Sequence, residues 1–290
     1  MSAKRILLVS QEIAPYVPSG DIASLTRNIA QGVHSRASEV RTFMPKYGTV
    51  NERRNQLHEV IRLSGMNIPI DDNDHPLIIK VASLQPSRIQ VYFIDNDDYF
   101  QKCDDDADAV GTNRTDNDER ALFFARGTIE TVKKLRWDPA IVHCMGWMTA
   151  MAPMYMRHIF NDDPACRDTK IIYSVLPAPL PEATQQTETP ATEDSVVSPV
   201  LDPRIFDKLI EDGLPAKYLE TFRTETPDVN TLHLMAIDNA DAVVFHTPTP
   251  DPVLLEAVTR RGIPYITAAP DGSDVQTYKD FYNSLTNENA

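Results

Sequence analysis

The sequence predicts one α/β domain built on a doubly wound, mostly parallel sheet. Short apolar, β-branched runs alternate with helical patterns along the 290 residues. This alternation is typical of right-handed β-α-β crossovers that place helices on both faces of a sheet. Hydrophobic residues make up 42% of the chain and charged residues 24%, which is enough apolar material for one sizeable core.

In the N-terminal half, helical patterns separate four strand patterns. The predicted strands are residues 5–10, 40–44, 77–84 and 89–94, and the last two are expected to form a hairpin. An apolar stripe predicts a helix over 22–37. Residues 95–118 are acidic and polar and predict a solvated loop, at whose end Asp116 and Glu119 resemble a capping box. This box opens the clearest helix of the sequence, which extends to Leu135.

The C-terminal half continues the same alternation on both sides of a low-complexity stretch. Its predicted strands are 140–143, 170–175, 242–245 and 264–267, and its predicted helices are 147–159, 203–211, 229–239 and 252–261. Residues 176–199 mix proline with Thr, Glu, Ala and Gln, so we expect a mobile, protease-sensitive surface loop there. We assign residues 1–270 to one domain and 271–290 to a short terminal helix and tail.

Charge and cysteine content exclude several classes of function. The chain has 28 Lys and Arg against 42 Asp and Glu, a net charge of −14, whereas nucleic acids and anionic membranes require a basic surface. We therefore expect neither partner. Cys103, Cys144 and Cys166 are odd in number and lack close spacing, which favours free thiols over a disulfide framework or metal site. With no secretory or membrane-spanning pattern, we expect a cytoplasmic protein.

Glycine usage argues against an ordinary nucleotide-binding enzyme. The chain has 10 glycines, and no two are closer than Gly262 and Gly272. Loops that hold phosphates against the backbone usually need several closely spaced glycines. We therefore expect no cofactor.

Six collinear segments carry a resemblance to one enzyme family. They are residues 4–15, 40–48, 91–100, 116–130, 138–153 and 240–248, and they include Val40-Arg-Thr-Phe-Met-Pro-Lys-Tyr-Gly48 and Asp116-Asn-Asp-Glu-Arg120. These motifs resemble those of bacterial glycogen and plant starch synthases, which transfer glucose from ADP-glucose to an α-1,4-glucan. The resemblance implies a Rossmann-like domain equivalent to the N-terminal half of the two-domain GT-B fold. In the family this half binds the glucan acceptor, and the donor-binding half would begin near residue 270.

At several motif positions the resemblance implies lost chemistry. Where the family has polar, charged or glycine residues, this chain has Pro18, Asp21, Met145, Gly146, Met148 and Leu176. The first two replace a lysine and a glycine that contact the sugar-nucleotide phosphates, and each charge-assisted hydrogen bond to phosphate is worth roughly 1.5–3 kcal/mol. We therefore expect no intact catalytic residues and no binding of ADP-glucose.

Four residues remain as candidates for glucan binding: Glu12, Lys46, Tyr47 and Trp147. Tyr47 can stack on a sugar while Lys46 donates to its hydroxyls. The structural alternatives are a strand-end role for Glu12 and packing at a helix start for Trp147. The sequence also predicts a buried, hydrogen-bonded His143 and a surface or loop position for His246. Five methionines from Met145 to Met156 suit either a partner surface or a helix core.

Three functions are compatible with these observations. The first is a catalytically inactive, synthase-like domain that binds an α-glucan or a protein partner. The second is one half of a glycogen or starch synthase that works with a separate donor-domain chain. The third is a structural assembly subunit, which includes the possibility of a homo-oligomer.

Overall fold

A computed structural model describes residues 3–17, 20–104, 108–176 and 201–286. The described residues form ten strands: β1 (Lys4–Ser10), β2 (Ser38–Pro45), β3 (His58–Glu59), β4 (Met66–Ile70), β5 (Asn73–Leu84), β6 (Ile89–Asp95), β7 (Ile141–Met145), β8 (Lys170–Val175), β9 (Ala242–Phe245) and β10 (Tyr265–Thr267). The helices are α1 (Asp21–Val33), α2 (Glu52–Asn55), α3 (Asn117–Leu135), α4 (Met151–His158), α5 (Pro164–Arg167), α6 (Ile205–Glu211), α7 (Ala216–Leu219), α8 (Val229–Asn239), α9 (Pro252–Arg261) and α10 (Val275–Thr286).

The strands form a mostly parallel sheet in the order β10-β9-β8-β7-β1-β2-β6-β5-β3, and β4 pairs with β5. The antiparallel pairs are those that β5 makes with β3, β4 and β6. The predicted doubly wound fold is therefore confirmed, as is the hairpin of β5 and β6. The chain winds outward from β1 to β2 and later returns to place β7 on the other side of β1. This reversal creates a topological switch point between β1 and β7, where such sheets usually bind ligands.

Helices cover both faces of the sheet. On β7, His143 contacts Tyr282 of α10, whereas its neighbour Val142 lies near Ile129 of α3 and Ala152 of α4. Because successive strand residues point to opposite faces, α10 and the α3–α4 pair lie on opposite sides. The contacts between α1 and α10 complete one layer, and those of α4 with α8 and of α8 with α9 extend the other. No helix in the described part of the chain is long and apolar enough to cross a bilayer.

Some predicted elements differ in the structure. The helix predicted over 22–37 ends at Val33. The solvated loop prediction is wrong over Asp97–Gln101, which form a π-helical turn that buries Tyr99 and Phe100. The capping box is also wrong, because the carboxylate of Asp116 pairs with Arg114 and makes no cap hydrogen bond. Most of the predicted loop 176–199 lies outside the described residues.

Arg120 of α3 joins that helix to the segment before it. Its guanidinium is fully buried and donates to the carbonyl oxygens of Tyr99 at 2.9 Å, of Gly111 at 2.7 Å and of Val110. It also donates to Oδ1 of Asn117 at 2.6 Å. A buried cation is tolerated only when its donors are satisfied, and here backbone carbonyls satisfy them.

We expect Arg120→Met to lower the free energy of unfolding by about 3 kcal/mol or more, because several buried carbonyls lose their donor at once. Arg120→Lys should not restore stability, since an ammonium cannot reproduce the planar fork of the guanidinium. Urea unfolding followed by far-ultraviolet circular dichroism measures both. Arg136→Met, at an exposed position just after α3, is the control. Equal stability of the Arg120→Met and Arg136→Met variants would contradict the anchoring role.

Candidate functional site

The predicted site residues gather at the carboxyl edge of the sheet. Gln11 and Glu12 follow β1, Lys46 and Tyr47 lie at the end of β2, and Trp147 follows β7. The structure therefore places the four predicted residues Glu12, Lys46, Tyr47 and Trp147 at one edge, around the switch point between β1 and β7. The solvent exposure of these side chains, however, differs from expectation.

Tyr47 lies inside the protein. Its side chain is fully buried, and its hydroxyl donates to the carbonyl oxygen of Gln11 at 2.8 Å and to Sδ of Met148 at 3.5 Å. The ring of Phe100 packs edge-on at 6.0 Å between centroids. Burial raises the pKa of the Tyr47 hydroxyl well above its usual value. In this arrangement the ring has no free face for the sugar stacking expected from the sequence.

Lys46 belongs to a network of charges that neutralise one another. Its side chain is 4% exposed, and its Nζ lies 3.1 Å from Oε1 of Glu52 and donates to Oε1 of Gln101 at 3.1 Å. Glu52 also contacts Lys80 at 2.7 Å, and Lys80 contacts the buried Asp95 at 2.8 Å. The ammonium that was expected to donate to sugar hydroxyls is thus bound to side chains of its own protein.

The turn after β7 is also closed to solvent. Gly146 adopts φ +84, and its carbonyl accepts a hydrogen bond from the hydroxyl of Thr149 at 2.8 Å. Trp147 and Met148 are buried, and Nε1 of Trp147 has no hydrogen-bond partner among the described residues. All five methionines from Met145 to Met156 are buried, so the partner-surface interpretation is wrong and the core interpretation holds.

Glu12 is the predicted residue that keeps partial exposure. Burial raises the pKa of its carboxyl, while a hydrogen bond from Nε2 of Gln11 at 3.0 Å acts in the opposite direction. Its other carboxylate oxygen lies 3.6 Å from where a Cβ on Gly20 would stand, at the start of α1. Asp21 opens α1 and is exposed, whereas Pro18 lies outside the described residues. Glu12 is therefore flanked by an acidic residue and by no described cation.

A chain of buried hydrogen bonds, which the sequence did not reveal, crosses three strands beside this edge. The hydroxyl of Tyr282 lies 2.7 Å from Nδ1 of His143, whose Nε2 lies 2.7 Å from Oγ of Ser174. Oγ of Ser174 also lies 2.9 Å from Nε2 of His246, and Nδ1 of His246 lies 3.4 Å from the carbonyl oxygen of Ala269. One proton arrangement satisfies every contact, with each group donating to the next from Tyr282 towards Ala269.

This series of hydrogen bonds connects α10 to the sheet and is not a reactive site. Burial lowers the pKa of His143 to about 3 and that of His246 to about 4, so both rings are neutral near pH 7. Ser174 is fully buried between them. The expectation of a buried, satisfied His143 is confirmed. His246 follows β9 in a bend, so its predicted loop position holds, but the side chain is buried and the surface alternative is wrong. Tyr282 lies 139 positions beyond His143, and no local pattern could indicate that contact.

Metal chemistry has no support in the described residues. Within 3–17, 20–104, 108–176 and 201–286, no three or more His, Cys, Asp or Glu side chains are grouped to hold a metal ion.

The fold matches one half of a larger glycosyltransferase. The catalytic domain of starch synthase IV from Arabidopsis thaliana, solved with ADP and acarbose, matches with a TM-score of 0.63 over 98% of this chain and 50% of that chain. Because the sequence identity is 15%, this likeness concerns the fold. The architecture is that of a Rossmann-like half of a GT-B glycosyltransferase.

The family follows from the sequence comparison. Residues 5–177, more than half of the chain, match the starch synthase catalytic domain, and the chain belongs to that family. It is 28% identical over 270 residues to a glycogen synthase of Chlorobium luteolum and 34% identical over 172 residues to one of Chlorobium phaeobacteroides. These matches cover 51% and 35% of the two relatives. The chain therefore spans about half, or less, of the length of these curated relatives.

The buried histidines predict a loss of stability in acid. An unfolded histidine binds a proton near pH 6.5, whereas His143 and His246 stay neutral in the fold down to about pH 3 and 4. Between about pH 6.5 and 4 the unfolded state therefore binds more protons, and stability should fall as pH falls, by up to about 1.4 kcal/mol per pH unit for each histidine.

Urea unfolding at pH 7.5, 6.0 and 5.0 measures this slope. His143→Gln should flatten it by about one histidine's contribution. Val142→Ala, which shortens a buried neighbour on β7 without removing a titrating group, should lower stability and retain the slope. An unchanged slope in His143→Gln would refute the assignment.

Proposed function

We propose that this chain is a glycogen/starch-synthase-like domain that transfers no glucose and acts as an interaction domain. The observation that carries the proposal is the occupancy of the switch point. Gln11, Tyr47, Trp147 and Met148 fill it with buried side chains of the protein itself. An edge filled in this way leaves little room for a reacting sugar.

The residue types at the motif positions support the same conclusion. Met145, Gly146, Met148 and Leu176 present neither a cation nor an acid–base group, and the three side chains are buried. Glycosyl transfer from a nucleotide needs groups that stabilise charge on the departing phosphate. The loss of one such group commonly costs ~10²–10³ in rate, and losses within a set that acts together are not additive.

The kind of partner follows from which groups remain accessible. Glucan binding through Lys46, Tyr47 and Trp147 would require three side chains that are now buried or ion-paired to become free. A protein partner makes no such demand, because it can bind elsewhere on the surface. The placement of these residues therefore argues against an α-glucan bound through them, and we propose a protein partner instead.

A second candidate function rests on the extent of the match. The chain covers 50% of the matching starch synthase IV chain and 51% of the Chlorobium luteolum glycogen synthase. That share corresponds to one half of a two-domain enzyme. A separate chain with the donor-binding half could complete the cleft and restore glucosyl transfer.

We expect no measurable transfer of glucose from ADP-glucose or UDP-glucose to glycogen by the purified chain. Radiolabel incorporation is the assay, in a preparation from a host that lacks its own synthase. Calorimetry with millimolar ADP-glucose should likewise show no binding. Leu176→His should not rescue activity, since one restored group leaves the rest of the set absent. Glucose transfer that is abolished by Glu12→Ala would show that the chain uses a different set of catalytic residues, and would contradict the proposal.

Affinity purification at native expression, with mass spectrometry, separates the candidate functions. We expect a stoichiometric protein partner that has no glycosyltransferase domain. A co-purifying donor-domain chain that confers transfer activity would replace the proposal with the second candidate. Glycogen co-sedimentation run in parallel tests the glucan alternative. Retention on glycogen that Lys46→Ala does not change would point to a surface away from the predicted residues.

A further inference from the structure

The Gln11 side chain occupies the crevice between the carboxyl ends of β1 and β7. Gln11 follows β1, which pairs in parallel with β7 through Ser10 and Met145. The side chain is fully buried. Its Nε2 donates to Oε1 of Glu12 at 3.0 Å, which orients the amide so that its oxygen points away from the carboxylate. The backbone carbonyl of the same residue accepts from the hydroxyl of Tyr47 at 2.8 Å.

Gly146 makes room for this side chain. A Cβ on Gly146 would stand 2.6 Å from Oε1 of Gln11, closer than real Cβ contacts allow. The backbone of Gly146 also has φ +84, a region that other L-residues rarely adopt. A residue with a side chain at 146 would force the end of the Gln11 side chain to move, since its Cβ would also stand 3.3 Å from Cδ of Gln11.

Two buried polar atoms in this crevice are left without a hydrogen bond to any residue that the structure describes. Oε1 of Gln11 and Nε1 of Trp147 are both buried, and neither has a hydrogen-bond partner among the described residues. Leaving such a group unpaired destabilises the folded protein. A side chain held in the crevice at this cost indicates that its contribution is to fill the space.

We propose that Gln11 is an internal plug of the switch-point crevice and that Gly146 is the residue that admits it. The contact is autoinhibitory in that the Gln11 side chain must move out before any ligand can bind between the carboxyl ends of β1 and β7. This inference rests on the proposed function and adds a steric reason for it. Among the described residues the crevice lacks reactive groups, and it is also closed by a side chain of the protein itself.

A double-mutant cycle on stability tests the pairing. Gly146→Ala should lower the urea midpoint through both the close contact and the backbone strain. In a Gln11→Ala background the close contact is absent, and we expect the loss to be about half as large or smaller. Gly65→Ala is the matched control, because Gly65 has φ +82 and nothing within 4 Å of its would-be Cβ. Its cost should be the same in both backgrounds.

Opening of the crevice has an independent readout in Trp147. The chain has two tryptophans, so Trp137→Phe leaves Trp147 as the single fluorophore. Acrylamide should quench it weakly with Gln11 present and severalfold more strongly in Gln11→Ala, as water reaches the indole. The Gly65→Ala variant should leave quenching unchanged.

Additive costs in the cycle, or equal quenching with and without Gln11, would overturn the plug. If Gly146→Ala fails to fold alone, recovery of a folded protein in the double variant supports the pairing, and failure of both variants refutes it. None of these measurements involves glucosyl transfer. A chain that proved active with a partner could still have the plug, and an inactive chain could lack it.

Discussion

The carboxyl edge depends on one constraint, namely that β1 and β7 are adjacent parallel strands buried on both faces. Side chains that leave these strands enter a crevice whose walls are already formed by the sheet and its helices. Parallel sheets bind ligands at this position because the strand connections diverge there. In this chain Gln11 takes the position, and Tyr47, Trp147 and Met148 around it are buried as core residues are. In related folds the carboxyl ends of such strands form a binding site. In this chain they are covered by buried side chains and form part of the protein interior.

Several buried polar groups around the edge have partners within the protein, which offsets the cost of burial. Oε1 of Gln11 and Nε1 of Trp147 are exceptions within the described part of the chain. Lys46 is paired with Glu52, and Arg120 is surrounded by backbone carbonyls. His143 and His246 share the hydroxyl of Ser174 and stay neutral. These arrangements hold loops and α10 against the sheet. They also explain why a chain with 42 acidic and 28 basic residues shows little free cationic chemistry near its strand ends.

Local patterns predicted the order of the main elements and the hairpin of β5 and β6, since alternation and strand length are properties of neighbouring residues. They failed where a partner distant in sequence determines the outcome. Asp116 has the composition of a helix cap, yet Arg114 takes its carboxylate. His246 follows β9 in a loop, as predicted, yet it is not at the surface because Ser174 and α10 enclose it. The predicted site residues were brought to one edge, but their burial depends on tertiary contacts, such as those of Tyr47 with Gln11 and Met148.

Loss of reactive groups and filling of space are linked in this chain. The small glycine at 146 would leave a cavity if nothing else filled the space, and cavities destabilise in proportion to their volume. Gln11 removes that cost at 146, and Met148 packs against the hydroxyl of Tyr47 in the same way. Methionine suits this purpose because its flexible side chain fills irregular gaps. On the proposed function, Gly146 and Met148 therefore belong to one repacked set with Gln11 and Tyr47. Restoring a single polar group would place it against occupied space, so the packing itself resists a return to catalysis.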